Sequence, residues 1–141
     1  MAATVKSSIA EGNAAASEGS DSMNKEAIVD AVRKGQPMPQ KNLAGIDLSN
    51  LDLSGANFSG CDLSGANLRN AKLHRANLAD CKLGKADLRG ADLSQANLSG
   101  ANLIGARLRR ANLTRSIRIR TKIRKWAMKG AYIAGPTAYS D

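Results

Sequence analysis

The chain has 141 residues, a formal net charge of +9 and only 3% aromatic residues. This length is typical of one domain with tails, and no apolar run reaches the roughly 18 residues that a membrane-spanning helix needs. The first twenty residues lack a basic segment followed by an apolar one, which argues against a secretory signal. We therefore expect a cytoplasmic protein.

Two segments of different composition precede the middle of the chain. Residues 1–22 are rich in Ala, Ser, Gly and Glu, which predicts a disordered tail. Residues 23–40 predict a capping helix and a linker, with Ser22 or Asn24 as the N-cap and Gly35 at the end of the helix. The apolar stripe of this helix consists of Ala27, Ile28, Ala31 and Val32.

Residues 41–115 are fifteen consecutive pentapeptides. The central position is Leu in every repeat except the one centred on Phe58, and Ala is the commonest residue two positions earlier. Asn or Asp lies between them in twelve of the fifteen repeats, with Lys72, Lys82 and Arg107 as the exceptions. A period of five would spread the leucines around an α-helix and would alternate them between the faces of a flat strand. A chain that turns a corner every five residues instead directs each Leu and Ala inward, although the period leaves the number of sides open.

Runs such as ANLSGANLIGARLRRANL resemble the pentapeptide-repeat family, whose signature is A(D/N)Lxx. The resemblance implies an all-β solenoid, a right-handed quadrilateral β-helix of about four coils with roughly twenty residues in each. Open ends would expose apolar core and unpaired strand edges. We therefore expect short helical caps at both ends, formed by the helix near residues 23–34 and by the basic C-terminal cap and tail of residues 116–141.

The C-terminal segment fits two patterns. A strand pattern alternates Ile117, Ile119, Thr121 and Ile123 with Arg118, Arg120, Lys122 and Arg124. A helical stripe is formed by Ile119, Ile123, Trp126 and Ala127. We favour a last partial coil that runs into a helix at about residues 121–130, ended by Gly130.

Stacking at the family's coil length places basic residues together. Arg69, Arg89 and Arg109 would form a vertical column, here called the arginine column. The other candidates for partner binding are Arg107 and Arg110 beside the column, Lys72 and Arg75 on the next side, and Arg118, Arg120, Arg124, Lys125 and Trp126 in the C-terminal segment. Neighbouring like charges repel. The column is therefore either a solubilising surface or a binding face for an acidic partner.

Nothing in the sequence predicts catalysis or a bound cofactor or metal. His74 lies at an outward position beside Arg75, and we expect no Ser or Cys near enough to form a nucleophile–base pair with it. Cys61 and Cys81 occupy alanine positions, so we interpret them as small buried thiols, with a redox pair as the alternative. The Asp residues are interpreted as products of the repeat. We expect a protein that is not an enzyme, with no catalytic, cofactor-binding or metal-binding residues.

The family resemblance implies a non-catalytic scaffold or adaptor that binds a protein partner through its faces or caps. An alternative is that the basic surface and tail bind an anionic partner, either nucleic acid or a membrane surface. A homodimer through the C-terminal cap is a further alternative. Some family members mimic DNA and modulate a topoisomerase, but that role needs an acidic rod, whereas residues 41–115 carry eleven basic and six acidic side chains.

Overall fold

The computed structural model describes residues 23–38 and 40–133, together with the backbone of residues 138 and 139. The predicted disordered tail, residues 1–22, lies outside the described residues. No helix among the described residues is long and apolar enough to cross a membrane.

A single α-helix, α1 (Lys25–Arg33), precedes the repeats in the described part of the chain. Asn24 is its N-cap, because the side chain of Asn24 accepts a hydrogen bond of 2.8 Å from the N–H of Ala27. The helix ends before Gly35, which has a φ of 71°. Ile28 and Ala31 are buried in the same cluster as the leucines of the repeats. The helix therefore forms at the predicted place and joins the main core.

The repeats form a solenoid in which residues twenty positions apart pair as parallel β-bridges. Asn42 pairs with Asp62, Asp62 with Lys82, and Lys82 with Asn102. Equivalent bridges start from residues 47, 52 and 57, so that each coil has four sides. On each side the N–H of the central Leu donates to a carbonyl of the next coil, as in the 2.7 Å bond from Leu63 to Lys82. Successive coils are thus joined as neighbouring strands of a parallel sheet are.

The Asn or Asp of each repeat closes a corner. Its side-chain oxygen accepts a hydrogen bond from the N–H two residues later: the N–H of Ser49 donates to Asp47 at 3.0 Å, and the N–H of Arg69 donates to Asn67 at 3.1 Å. Neither Lys nor Arg has a side-chain acceptor that could form this bond. The preference for Asn and Asp at this position is therefore structural.

The core contains the residues that the period directs inward. All fifteen central residues of the repeats, including Phe58, are at most 2% exposed. From residue 56 onward the alanine positions of the repeats are also buried, and Cys61 and Cys81 lie among them. Leu and Ala side chains thus fill the interior of the solenoid.

The C-terminal segment continues the solenoid beyond the repeats. Strand β1 (Ile117–Arg118) pairs in parallel with strand β2 (Ala138–Tyr139). Lys122 and Tyr132 form bridges with the coil that precedes them in the chain, which is called the coil above. Within the described part of this segment, only Lys125–Met128 is helical, as a four-residue 3-10 helix. The predicted helix over residues 121–130 is thus reduced to one short turn. The reason is that the N–H of Lys122 donates to the carbonyl of Ala101 at 2.8 Å, which keeps the preceding residues extended.

Candidate functional site

The structure brings the arginine column together. Arg69, Arg89 and Arg109 lie on successive coils and, with Arg110, line a small pocket of about 220 Å³. Asn70 and Gly90 complete its lining. Arg107 lies on the same side of the solenoid, where its backbone pairs with that of Asp87. Five of the predicted binding residues therefore share one side, here called the basic side.

An aspartate within the basic side was not anticipated from the sequence. Nε and Nη2 of Arg89 donate to the Asp87 carboxylate at 2.8 and 2.6 Å, and Nε of Arg69 lies 4.0 Å from the same carboxylate. The hydrogen bond from Arg89 is the main reason that the pKa of Asp87 is lowered, although partial burial opposes this effect. Asp87 thus compensates part of the positive charge of Arg69 and Arg89.

The lower end of the basic side is not compensated in this way. Among the described residues, no carboxylate lies within ion-pair distance of Arg107, Arg109 or Arg110. Positive charge on this side is therefore concentrated around the coil that contains these three residues.

A groove of about 1130 Å³ opens beside these arginines. It lies between residues 104–109 on one side and the segment around the 3-10 helix on the other. Arg124 and Trp126 from the C-terminal segment line the groove, and Trp126 is 73% exposed. Arg89, Arg107 and Arg109 line it from the repeats. The groove thus joins two groups of candidates that the sequence placed in separate segments.

The remaining candidates lie elsewhere. Lys72 and Arg75 occupy the next side of the solenoid, where Nε of Arg75 donates to the side chain of Gln95 at 3.2 Å. Arg120 lies at a corner, with a φ of 57°. Lys125 begins the 3-10 helix but does not line the groove. These four residues therefore do not converge with the basic side.

Arg118 is not a surface residue. It is 3% exposed because it occupies the position that Leu holds in the repeats, and its Nη1 contacts the sulfur of Met128 at 3.2 Å. Its expected role in partner binding is therefore corrected, since a buried guanidinium cannot contact a partner.

The sequence predicts no Ser or Cys placed to form a nucleophile–base pair with His74, but a serine does lie within hydrogen-bond distance of it. Nδ1 of His74 is 2.7 Å from Oγ of Ser94, which lies on the next coil. The Ser94 hydroxyl donates to Asp92 at 2.6 Å, so the histidine ring donates to the serine. The hydroxyl proton is therefore directed to the Asp92 carboxylate rather than to the imidazole of His74. The same Ser–Asp bond forms between Ser49 and Asp47, which shows that it is a product of the repeat.

The two cysteines are buried free thiols. Cys61 donates to the carbonyl of Met38 at 2.8 Å, and Cys81 donates to the carbonyl of Phe58 at 2.9 Å. Burial raises the pKa of Cys61, and burial together with the neighbouring Cys61 raises the pKa of Cys81 to about 12. Both are therefore poor nucleophiles in the folded protein. Within the described part of the chain, no group of His, Cys, Asp and Glu could hold a metal ion.

Comparisons with known proteins identify the repeats. A family model described as pentapeptide repeats matches residues 42–78 and 76–115 in eight copies. None of the curated proteins matches the chain.

Several solved structures of pentapeptide-repeat proteins are similar to this chain. Rfr23 from the cyanobacterium Cyanothece 51142 is 25% identical with a TM-score of 0.50, and the match covers 82% of this chain and 99% of that one. The protein alr5209 from Nostoc PCC 7120 is 30% identical with a TM-score of 0.47, and the match covers 80% and 97%. The Arabidopsis thaliana thylakoid-lumen protein AT2G44920 is 31% identical with a TM-score of 0.39, and the match covers 74% and 59%. The likeness to Rfr23 supports a right-handed quadrilateral β-helix for this chain.

Proposed function

Because this chain belongs to the pentapeptide-repeat family, we propose that it is a non-catalytic binding module that holds an acidic surface of a protein partner against its basic side. Proteins of this kind are generally structural repeat proteins. Solenoids built in this way present extended surfaces for binding.

The observation that carries the proposal is the uneven charge of the solenoid. From residue 93 to residue 133 the sequence has ten Lys and Arg and no Asp or Glu. Among these residues, Arg109 is the last member of the arginine column, and Arg107 and Arg110 lie beside it at the uncompensated end. A surface of one sign attracts and orients a partner of the opposite sign.

Other partners fit this surface less well. A single-stranded nucleic acid is bound by a series of aromatic platforms, whereas Trp126 and Tyr132 are the exposed aromatic residues that the structure describes. A second copy of this chain would bring the same positive charge to the interface. A DNA mimic needs a negative surface, and the basic side has the opposite sign.

The ends of the solenoid have a structural role in this proposal. Helix α1 contributes Ile28 and Ala31 to the core at one end, and Met128 and Ile123 pack against the core near the other. We assign both segments as caps that prevent end-to-end stacking and leave the sides for the partner.

Charge-matched variants test the proposal. Changing Arg69, Arg89 and Arg109 together to Ser removes three positive charges from the basic side. The control triple, Lys72, Arg75 and Arg115 to Ser, removes three charges from the next side. Affinity capture with chemical cross-linking is carried out in nuclease-treated, membrane-free extract of the native cell, and circular dichroism checks the fold of each variant.

We expect a protein partner that wild type and the control triple retain and that the basic-side triple loses. Capture that falls equally with both triples would show that total charge, rather than the basic side, governs binding. Capture that is seen in untreated extract but is absent from the nuclease-treated, membrane-free extract would contradict a protein partner.

A further inference from the structure

One side of the solenoid forms no onward β-bridge at its C-terminal end among the described residues, although at its far corner the N–H of Arg110 donates to the carbonyl of Gly130 at 2.7 Å. In the coil that contains Arg107, the other three sides pair onward, through the bridges from residue 102 to 122, from 112 to 132 and from 117 to 138. Arg107 pairs with Asp87 above it, and the described residues provide no bridge below it. An unpaired edge is therefore exposed on the basic side.

The missing bonds are identified by comparison with the coil above. There the N–H of Leu88 donates to the carbonyl of Arg107 at 2.8 Å, and the N–H of Arg107 donates to the carbonyl of Ala86 at 2.9 Å. One coil later, the N–H of Leu108 and the carbonyl of Ala106 have no partner among the described residues. The N–H of Gly105 is likewise unpaired in the described structure, although the equivalent N–H of Lys85 donates to a carbonyl.

The 3-10 helix explains this gap. Continuation of the ladder would place the N–H of Ala127 on the carbonyl of Ala106, but Ala127 donates to Arg124 at 2.9 Å within its own turn. The segment around Trp126 consequently leaves the position of the next strand and forms the far wall of the groove. The groove therefore occupies the place where a further strand would lie.

The walls of the groove indicate what could fill that place. Ile104 and Trp126 offer apolar surface, while Arg107, Arg124 and Lys129 offer positive charge. The described residues place no carboxylate within ion-pair distance of these three cations. At about 1130 Å³ the groove is larger than the roughly 300–1,000 Å³ of ordinary small-molecule sites.

We propose that this groove binds an extended acidic segment of the partner protein, which adds to the unpaired edge as a β-strand. One peptide residue would accept from the N–H of Leu108 and donate to the carbonyl of Ala106, as Arg107 does for the coil above. Its acidic side chains would lie against Arg107, Arg124 and Lys129, and an apolar side chain against Trp126. The inference rests on the proposed function and names the way in which the partner is recognised.

Two other occupants fit this edge less well. The C-terminal strand β2 is already paired with β1 on a different side of the solenoid. A nucleic acid backbone carries phosphates but lacks the alternating N–H and C=O groups that complete a β-ladder. An acidic peptide satisfies both the charge and the backbone pattern.

Amide hydrogen exchange by NMR tests the edge directly. In the free protein we expect the N–H of Leu108 to exchange at least roughly 100-fold faster than the N–H of Leu88, because only Leu88 is paired. The probe is a peptide of seven residues that alternates Glu and Val. Saturation with this peptide should slow exchange at Leu108 and Gly105 while leaving Leu88 unchanged. Equal protection of Leu108 and Leu88 in the free protein would overturn the proposal.

Backbone N-methylation of the peptide separates strand addition from attraction of charge. Fluorescence anisotropy should show binding of the labelled peptide at low salt, and N-methylation of its three valines should weaken binding about tenfold or more. Changing Arg124 and Lys129 together to Ser should also weaken it, whereas the charge-matched control, Arg75 and Arg115 to Ser, should not. A peptide that does not bind, or an oligothymidine that binds more tightly and protects Leu108, contradicts the proposal.

The two proposals fail in different ways. If peptide binding depends on Arg124 and Lys129 but not on the peptide N–H groups, an acidic partner is retained and strand addition is wrong. If the basic-side triple still captures its partner normally, the proposed function itself is wrong.

Discussion

Replacement of Gly90 by Ala tests the packing beneath the arginine column. Gly90 has a φ of 73° and lies beneath the side chain of Asn70, whose oxygen would collide with an added Cβ. Gly65 is the matched control, because its φ is 68° and nothing lies within 4 Å of an added Cβ. The two substitutions therefore share the backbone strain and differ in the collision.

The magnitudes follow from these two terms. An L-residue in the left-handed region destabilises the folded state by about 1–2 kcal/mol. Replacing Gly also lowers the conformational entropy of the unfolded chain, which stabilises the protein by about 0.4–1 kcal/mol. We therefore expect Gly65→Ala to lower the free energy of unfolding by about 1 kcal/mol. Gly90→Ala should cost about 1 kcal/mol more, because the side chain of Asn70 must leave its rotamer.

Equilibrium denaturation followed by circular dichroism measures both costs. In an Asn70→Gly background the collision is absent, so Gly90→Ala should then cost the same as Gly65→Ala. The difference between the cost of Gly90→Ala in the wild-type background and its cost in the Asn70→Gly background is the coupling energy that the double-mutant cycle measures. Equal costs for the two single variants, or a cycle without coupling, would refute the reasoning.

Two further predictions concern ionisable groups. In the native protein at pH 8, both Cys61 and Cys81 should resist modification by DTNB. At a pKa of about 12, only roughly one part in ten thousand of Cys81 is present as the reactive thiolate. Both thiols should react once the protein is unfolded in guanidinium chloride, and rapid reaction in the native protein would contradict their burial. Arg89→Ala, which leaves no side-chain donor at this position, should raise the pKa of Asp87 in a carboxyl NMR titration, since the hydrogen bond from Arg89 is the main cause of its lowered value. The stability that Asp87 contributes is present above its unfolded pKa and is lost as the pH falls through its folded pKa. An unchanged Asp87 titration would show that Arg89 is not the cause of the lowered pKa.

The repeat pattern was sufficient to predict the core and the corners. A five-residue period leaves Leu and Ala on the inside only if the chain turns at every repeat, and the structure has those residues buried. Asn24 and Gly35 mark the ends of α1 by local chemistry, which sequence alone reveals. The arginine column also followed from the coil length that the family resemblance implied.

The detailed chemistry of the sides was beyond the sequence. Asp87 lies two residues before Arg89, yet its place between two arginines depends on side-chain directions at a corner. The contact between His74 and Ser94 requires both the register of the coils and a particular rotamer of the ring. Arg118 looked like part of a charged tail because the repeat signature had ended, whereas the solenoid continued through it.

The sequence by itself therefore determined the interior of this protein, because Leu and Ala recur at every fifth residue and can all face inward only if the chain turns a corner in each repeat. Only the tertiary structure decided where the groove lies. Residues 119–124 fit both a strand and a helix, and the outcome depended on competition between hydrogen bonds to the preceding coil and hydrogen bonds within a helical turn. Lys122 pairs with the coil above while Ala127 bonds within its turn, and this difference opens the edge at Arg107.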